Sequence, residues 1–143
     1  MSDVPGPGAV QGTEPPRILL AEDDDISQAI IRQILTAIDP IDLTIVSDGR
    51  AAFELCMAST YDLLILDRQM PLIRGDKLTR QLRASPNPNF TTPIILFSAS
   101  TSSELKDLGA ICPADLILSK PIRSAEFLAA VRSFIAPTAK AAG

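Results

Sequence analysis

The stretch that most constrains this chain is YDLLILDRQMP, residues 61–71. Leu63, Leu64, Ile65 and Leu66 form an unbroken apolar run of strand length, which suits a strand covered on both faces, as in a parallel sheet flanked by helices. The run stops at Asp67. An ionised carboxylate inside a sheet would be desolvated at a large cost, so Asp67 is expected just beyond the strand's C-terminal end. That rim is where open α/β sheets bind their ligands.

Four more apolar runs flank this one. Ile18, Leu19, Leu20 and Ala21 make a short buried strand ending in four acids, Glu22, Asp23, Asp24 and Asp25. The spacing then changes to Ile30, Ile31, Ile34, Leu35 and Ile38, one face of a helix that Asp39-Pro40 closes. Asp25, with Gln28 as its reciprocal partner, is the expected cap of that helix. Residues 42–46 are a second strand, and Ser47-Asp48-Gly49 turns into a helix bearing Ala52, Phe53, Leu55 and Cys56. Past the central strand, an Ile73-Arg74-Gly75 turn precedes a helix on which Leu78 and Leu82 share a face. Ile94 to Phe97 form a fourth strand, terminating in Ser98-Ala99-Ser100. A short helix with Leu105 and Leu108 follows, stopped by Gly109. The fifth strand, Leu116 to Leu118, ends in Ser119-Lys120-Pro121. Ser124 then caps a last helix with Phe127, Leu128, Val131, Phe134 and Ile135 inward. Five strands alternating with five helices imply an α/β fold with a doubly wound parallel sheet, since parallel neighbours need crossover helices.

Residues 17–136 are one domain, large enough to bury a core without disulfides or a structural metal. Residues 1–16, rich in Pro and Gly without apolar period, are expected to be a disordered tail, and residues 137–143 to be frayed. A net charge of −4 disfavours direct binding to nucleic acid or insertion into an anionic membrane, leaving proteins or cations as partners. Cys56 and Cys112 have no metal-ligand spacing and read as packing positions, and no signal-peptide or membrane-length apolar segment appears, so the chain is expected to be cytoplasmic. Histidine is absent, which removes His-based triads and phosphohistidine-carrier chemistry.

With the strand order 2-1-3-4-5, a flavodoxin-like arrangement, the first and third strands meet at the topological switch point and their acids Glu22, Asp23 and Asp67 meet with them. The fourth strand delivers Ser98 to the same rim and the fifth Lys120. Two carboxylates ~4 Å apart repel by ~4 kcal/mol at an effective dielectric near 20, so three together call for a neutralising cation. Oxygen ligands from few carboxylates favour Mg²⁺ over zinc. Taken singly, Asp67 would read as a turn former, Lys120 as a solvated lysine and Ser98 as a loop hydroxyl. Their placement at successive strand ends is what suggests one site.

In order along the chain, RILLAEDD, YDLLILDRQMP with the following Gly75, TPIILFSAS and ILSKPI resemble a response-regulator receiver domain, the phosphoacceptor half of two-component signalling. The resemblance covers residues 17–135. It implies that Asp67 takes a phosphoryl group from a histidine kinase or a histidine phosphotransfer protein, in the presence of Mg²⁺. It further implies that Glu22, Asp23, Asp67 and the backbone carbonyl of Gln69 hold the metal, that Lys120 pairs with the acceptor and then with phosphoryl oxygens, and that Ser98 hydrogen-bonds the phosphoryl group. Ala99 would be small enough for the phosphoryl group to approach its backbone, and Lys120-Pro121 would be a cis peptide. An inward shift of Ser98 would then reposition the surface of the fourth helix, fifth strand and fifth helix.

The chain departs from the family's pattern at several positions. Ile117 stands where an aromatic is common three residues before the lysine. Arg68 follows the acceptor in place of an apolar residue, and Arg74 replaces a common Asp before Gly75. Gln69 and Ser100 occupy positions that tune acyl-phosphate lifetime. A stand-alone receiver that is not a free-standing enzyme is the leading expectation, acting on an unknown downstream protein. Alternatives are a phosphorylation-independent interaction module and a Mg²⁺-dependent aspartyl-phosphate phosphohydrolase; the latter would use an acid where Gln69 stands. A nucleotide-binding flavodoxin-like protein lacks its Gly-rich phosphate loop here.

Overall fold

Strand β3, Leu63–Asp67, is the middle of a five-stranded parallel sheet in this computed structural model, which describes residues 14–99 and 102–142, without side chains for residue 102 and residues 136–142. The other strands are β1 (Arg17–Ala21), β2 (Asp42–Val46), β4 (Ile94–Ser98) and β5 (Leu116–Ser119), in the order β2-β1-β3-β4-β5. The helices are α1 (Asp25–Leu35, followed by a 3-10 turn at Thr36–Ile38), α2 (Gly49–Ala58), α3 (Gly75–Ala84), α4 (Ser102–Ile111) and α5 (Ser124–Ala142).

The unbroken apolar run works as a doubly covered strand because successive side chains serve opposite cores. Leu64 and Leu66 pack with Ala52, Cys56, Leu78, Leu82 and Leu108 from α2, α3 and α4. Leu63 and Ile65 pack with Ile31 and Leu35 of α1 and Phe127 and Val131 of α5. Each fully buried Leu or Ile contributes roughly 1.5–3 kcal/mol of transfer free energy, so the three inner strands anchor both layers. The edge strands β2 and β5 are only half-buried. Both cysteines are free and buried in the first core, as packing positions.

Several local expectations are corrected. Asp24 caps α1, not Asp25: its extended backbone lets its carboxylate accept from the Ser27 N–H at 2.8 Å, while Asp25 is already helical. Gln28 instead donates to the Glu22 carbonyl and to Ser47 Oγ. Ile30 is 44% exposed although Ile31 and Leu35 are buried, because the core-facing stripe of α1 is narrower than its apolar sequence. Gly109 does not stop α4, which runs to Ile111; a Cβ there would meet nothing within 4 Å, so the glycine sits on an open helix face. Ser124 is the first residue of α5, whose opening bond runs from the Phe127 N–H to the Arg123 carbonyl. Apart from these corrections, the backbone of α5 extends to Ala142. The tail expected over residues 1–16 lies outside the described residues up to residue 13, and Pro16 already accepts a hydrogen bond from the Asp42 N–H at 2.8 Å.

Candidate phosphoacceptor and metal site

At the C-terminal rim the parallel register delivers the sequence-predicted residues to one place. Ala21 pairs with Leu66 and Asp67 with Phe97, so Glu22 and Asp67 leave adjacent strands at the same level. Asp67 is the last paired residue of β3 and 4% exposed, rather than lying just beyond the strand. It tolerates that depth because its carboxylate finds a cation: Lys120 Nζ lies 3.3 Å from Asp67 Oδ1 and 3.1 Å from Glu22 Oε1. The other Glu22 oxygen accepts from the Asp24 N–H at 3.1 Å. Lys120 is aimed inward as the chain leaves β5, where its N–H donates to the Ser98 carbonyl at 2.9 Å. The Lys120–Pro121 peptide is cis, in keeping with the resemblance.

One carboxylate oxygen from each of Glu22, Asp23 and Asp67 lies within 4.8 Å of the others. Glu22 is 1% exposed while Asp23 faces solvent, so the trio is a cup with one open side. One lysine cannot neutralise three acids, and the all-oxygen donor set suits a hard divalent cation completed by water. Burial pushes Glu22 up to about 7; Asp67's charge adds to this, while the Asp24 N–H and Lys120 oppose it. Burial works against the Lys120 charge, but the Glu22 hydrogen bond and the charges of Asp67 and Glu22 outweigh it and raise the amine above its ordinary value.

Ser98 ends β4 and is 1% exposed beside this centre, and Ala99 follows it at the surface. Gln69 lies in the exposed bend two residues after Asp67. Ser100 lies outside the described residues. Gly75 makes the close approach of α3 possible: a Cβ there would sit 2.2 Å from the Asp67 carbonyl oxygen. Gly49 does the same against the loop before α3, where a Cβ would meet the Ile73 oxygen at 1.8 Å.

Asp76 and Asn89 are among the buried polar groups that sequence reading missed. Asp76, 5% exposed, gathers Arg74 Nε at 3.2 Å and Arg68 Nε and Arg80 NH1 at 3.7 Å each. Arg68 and Arg74, the two arginines that depart from the family's pattern, are therefore partly neutralised. Asn89, fully buried, accepts from the Tyr61 N–H and donates to the Cys56 and Ser59 carbonyls, tying the loop before β4 to the end of α2. Its arginine partners and helix position could have flagged Asp76; nothing near Asn89 in the sequence marks it.

The parallel sheet of order β2-β1-β3-β4-β5, with three acids and a lysine gathered at its switch point, defines a doubly wound α/β domain with a polar site at its C-terminal rim. The family model of the response regulator receiver domain matches residues 18–132, and the chain belongs to that family. The response regulator ArlR of Staphylococcus saprophyticus is 34% identical over 119 residues, covering 83% of this chain and 52% of the relative. The autoinducer 2 sensor kinase/phosphatase LuxQ of Vibrio harveyi is 32% identical over 107 residues, 75% of this chain and 12% of LuxQ. The chain thus spans about half or less of the length of these relatives. Among solved structures, the Francisella response regulator 1452 receiver domain has a TM-score of 0.72 at 33% identity, covering 86% of this chain and 98% of that one. The receiver domain of the sensor histidine kinase PA1611 from Pseudomonas aeruginosa, with a magnesium ion coordinated in its active site cleft, has a TM-score of 0.75 at 27% identity, covering 85% and 98%. Among the described residues no helix is long and apolar enough to cross a membrane.

Proposed function

We propose that Asp67 accepts a phosphoryl group from a phosphohistidine on a histidine kinase or phosphotransfer protein, and that Mg²⁺ assists. The observation that carries this reading is the bridge of Lys120 Nζ between Glu22 and Asp67 inside a three-carboxylate cup. An Asp67 oxygen attacks phosphorus, the P–N bond to the donor imidazole breaks, and an acyl phosphate forms. Lys120 lies where it can leave the carboxylate oxygen and meet a phosphoryl oxygen. Ser98 and the Ala99 backbone would hydrogen-bond the others. Glu22, Asp23, Asp67 and the Gln69 carbonyl would hold Mg²⁺, which when bound offsets the negative charge gathered on the phosphoryl oxygens.

The output surface in this reading is α4, β5 and α5. Ile117 of β5 packs partly against the first core in place of an aromatic side chain, which favours a readout through displacement of the α4 end over rotation of a ring. The site handles only its own phosphoryl group, so the protein is a switch and not a free-standing enzyme, and we place it in the cytoplasm with its donor. Incubation with acetyl phosphate and Mg²⁺, followed by intact-mass spectrometry, tests the reading: the wild type should gain one phosphoryl group and Asp67→Ala none. Labelling that persists in Asp67→Ala would move the acceptor elsewhere.

A further inference from the structure

We infer that the exposed face of α3, together with the groove it forms against the end of α4, docks an acidic protein segment carrying an apolar side chain. The inference does not rest on phosphoryl transfer at Asp67. Between Asp67 and Glu104 the chain has five cations, Arg68, Arg74, Lys77, Arg80 and Arg83, and one acid, Asp76, although as a whole it has 17 acids and 13 cations. That acid is buried, so the surface of this stretch is positive on an otherwise acidic protein.

The cations are arranged as well as concentrated. Arg74, Lys77 and Arg80 follow one another at helical spacing of three and are all exposed, which places them along one stripe. Asp76 holds the Arg74 and Arg80 guanidinium groups from beneath and draws Arg68 in from the strand end. A guanidinium keeps further N–H donors when one edge is engaged, and its fork matches a carboxylate. Side chains already held in place lose less entropy when a partner arrives. Arg83 is used otherwise: it donates to the carbonyls of Asn89, Phe90 and Thr92 and pairs with Asp115, fixing the far end of the stripe.

The apolar element lies beside it. An open groove of about 440 Å³ runs between Arg80 and Arg83 on one side and Ala110, Ile111 and Cys112 on the other. Ile111 is 64% exposed at its edge. Across Ile111 a second hollow is lined by Arg68, Glu104, Asp107 and Leu108, a mixed-charge wall that attracts an acidic chain less than the cationic stripe of α3 does. The surface therefore fits a peptide whose apolar side chain covers Ile111 while its acids meet Arg74, Lys77 and Arg80. A second copy of this chain is a poorer occupant, because its exposed acids lie on other surfaces, such as Asp23 to Asp25 before α1 and Asp107 on α4, so the contact would be head-to-tail and would not close.

The test is fluorescence anisotropy of the full-length protein with a fluorescein-labelled oligoglutamate peptide carrying one central leucine. Binding should weaken with salt, fall by about tenfold in Lys77→Glu, and stay within about twofold of wild type in Arg132→Glu, which changes net charge equally on the opposite layer. Asp76→Asn adds positive charge but releases the arginines; an organised face binds more weakly in this variant, a mere charged field more tightly. Circular dichroism shows whether each variant is folded, and Lys77→Glu, at an exposed position, keeps the test decisive if Asp76→Asn is not. Equal losses in Lys77→Glu and Arg132→Glu would overturn the inference. So would no binding at low ionic strength, tighter binding by folded Asp76→Asn, an oligonucleotide of the same charge binding as well, or light scattering that shows self-association lost in Lys77→Glu.

Discussion

Two buried carboxylates lie nine positions apart and have opposite surroundings. Asp67 sits with Glu22 and Asp23 around a single lysine, a centre short of positive charge. Asp76 sits under three arginines, a centre with positive charge to spare. Burial is nearly the same, at 4% and 5% exposed, so depth does not distinguish them. Charge balance does. The first centre has more acids than its one lysine can pair and could take a further cation; the second is paired internally and holds its neighbours in place.

The sharpest contrast comes from removing each carboxylate's charge. Asp67→Asn should abolish phosphoryl uptake from acetyl phosphate, measured by intact mass, while leaving the metal-free protein as stable as wild type or more so, because one repelling acid is gone. Asp76→Asn should retain uptake but lose on the order of 2–3 kcal/mol in urea denaturation, since three arginines lose their common partner while keeping partial access to water. Equal stability losses in both variants would erase the distinction between the centres.

Mg²⁺ should stabilise through the first centre alone. At a tenfold excess over Kd the gain is about 1.4 kcal/mol, visible as a rise in Tm that chelation reverses. Asp67→Asn should lose the rise and Asp76→Asn should keep it. Lys120→Ala should still bind the ion yet accept phosphoryl poorly; full acceptance would remove Lys120 from the mechanism.

The smallest effect is the pH dependence of the metal-free protein. Glu22 titrates about 7 when folded against an ordinary 4.5, so the folded state holds a proton that the unfolded chain has lost. Its contribution is complete below the ordinary value and disappears as pH rises through about 7. Urea midpoints measured between pH 5 and pH 8 should therefore decline in wild type and decline less in Glu22→Gln. Identical slopes would mean that burial of Glu22 does not set its titration.

Much of this was legible from residues alone. Every strand was readable because an apolar run in a parallel sheet is local and continuous, and Asp67, Glu22, Asp23, Ser98 and Lys120 were legible as polar residues closing such runs. Caps were less so: among four consecutive acids, only the backbone turning extended at Asp24 and helical at Asp25 selects the cap. Gly109 misled because a glycine that ends a helix and one on an open helix face look alike in sequence. Ile30 misled because an apolar period does not state how wide the buried stripe will be.

The sequence by itself determined which segments become strands and helices and which residues stand at their tips, since alternation and helical spacing act within a few residues. Tertiary structure decided what those tips meet. Lys120 reaches Glu22 across 98 positions of chain, and only the parallel register brings them to 3.1 Å. It also decided that Asp76 would be buried: Arg74 and Arg80 are near it along the helix, but how deeply a helical residue is covered depends on what packs over it.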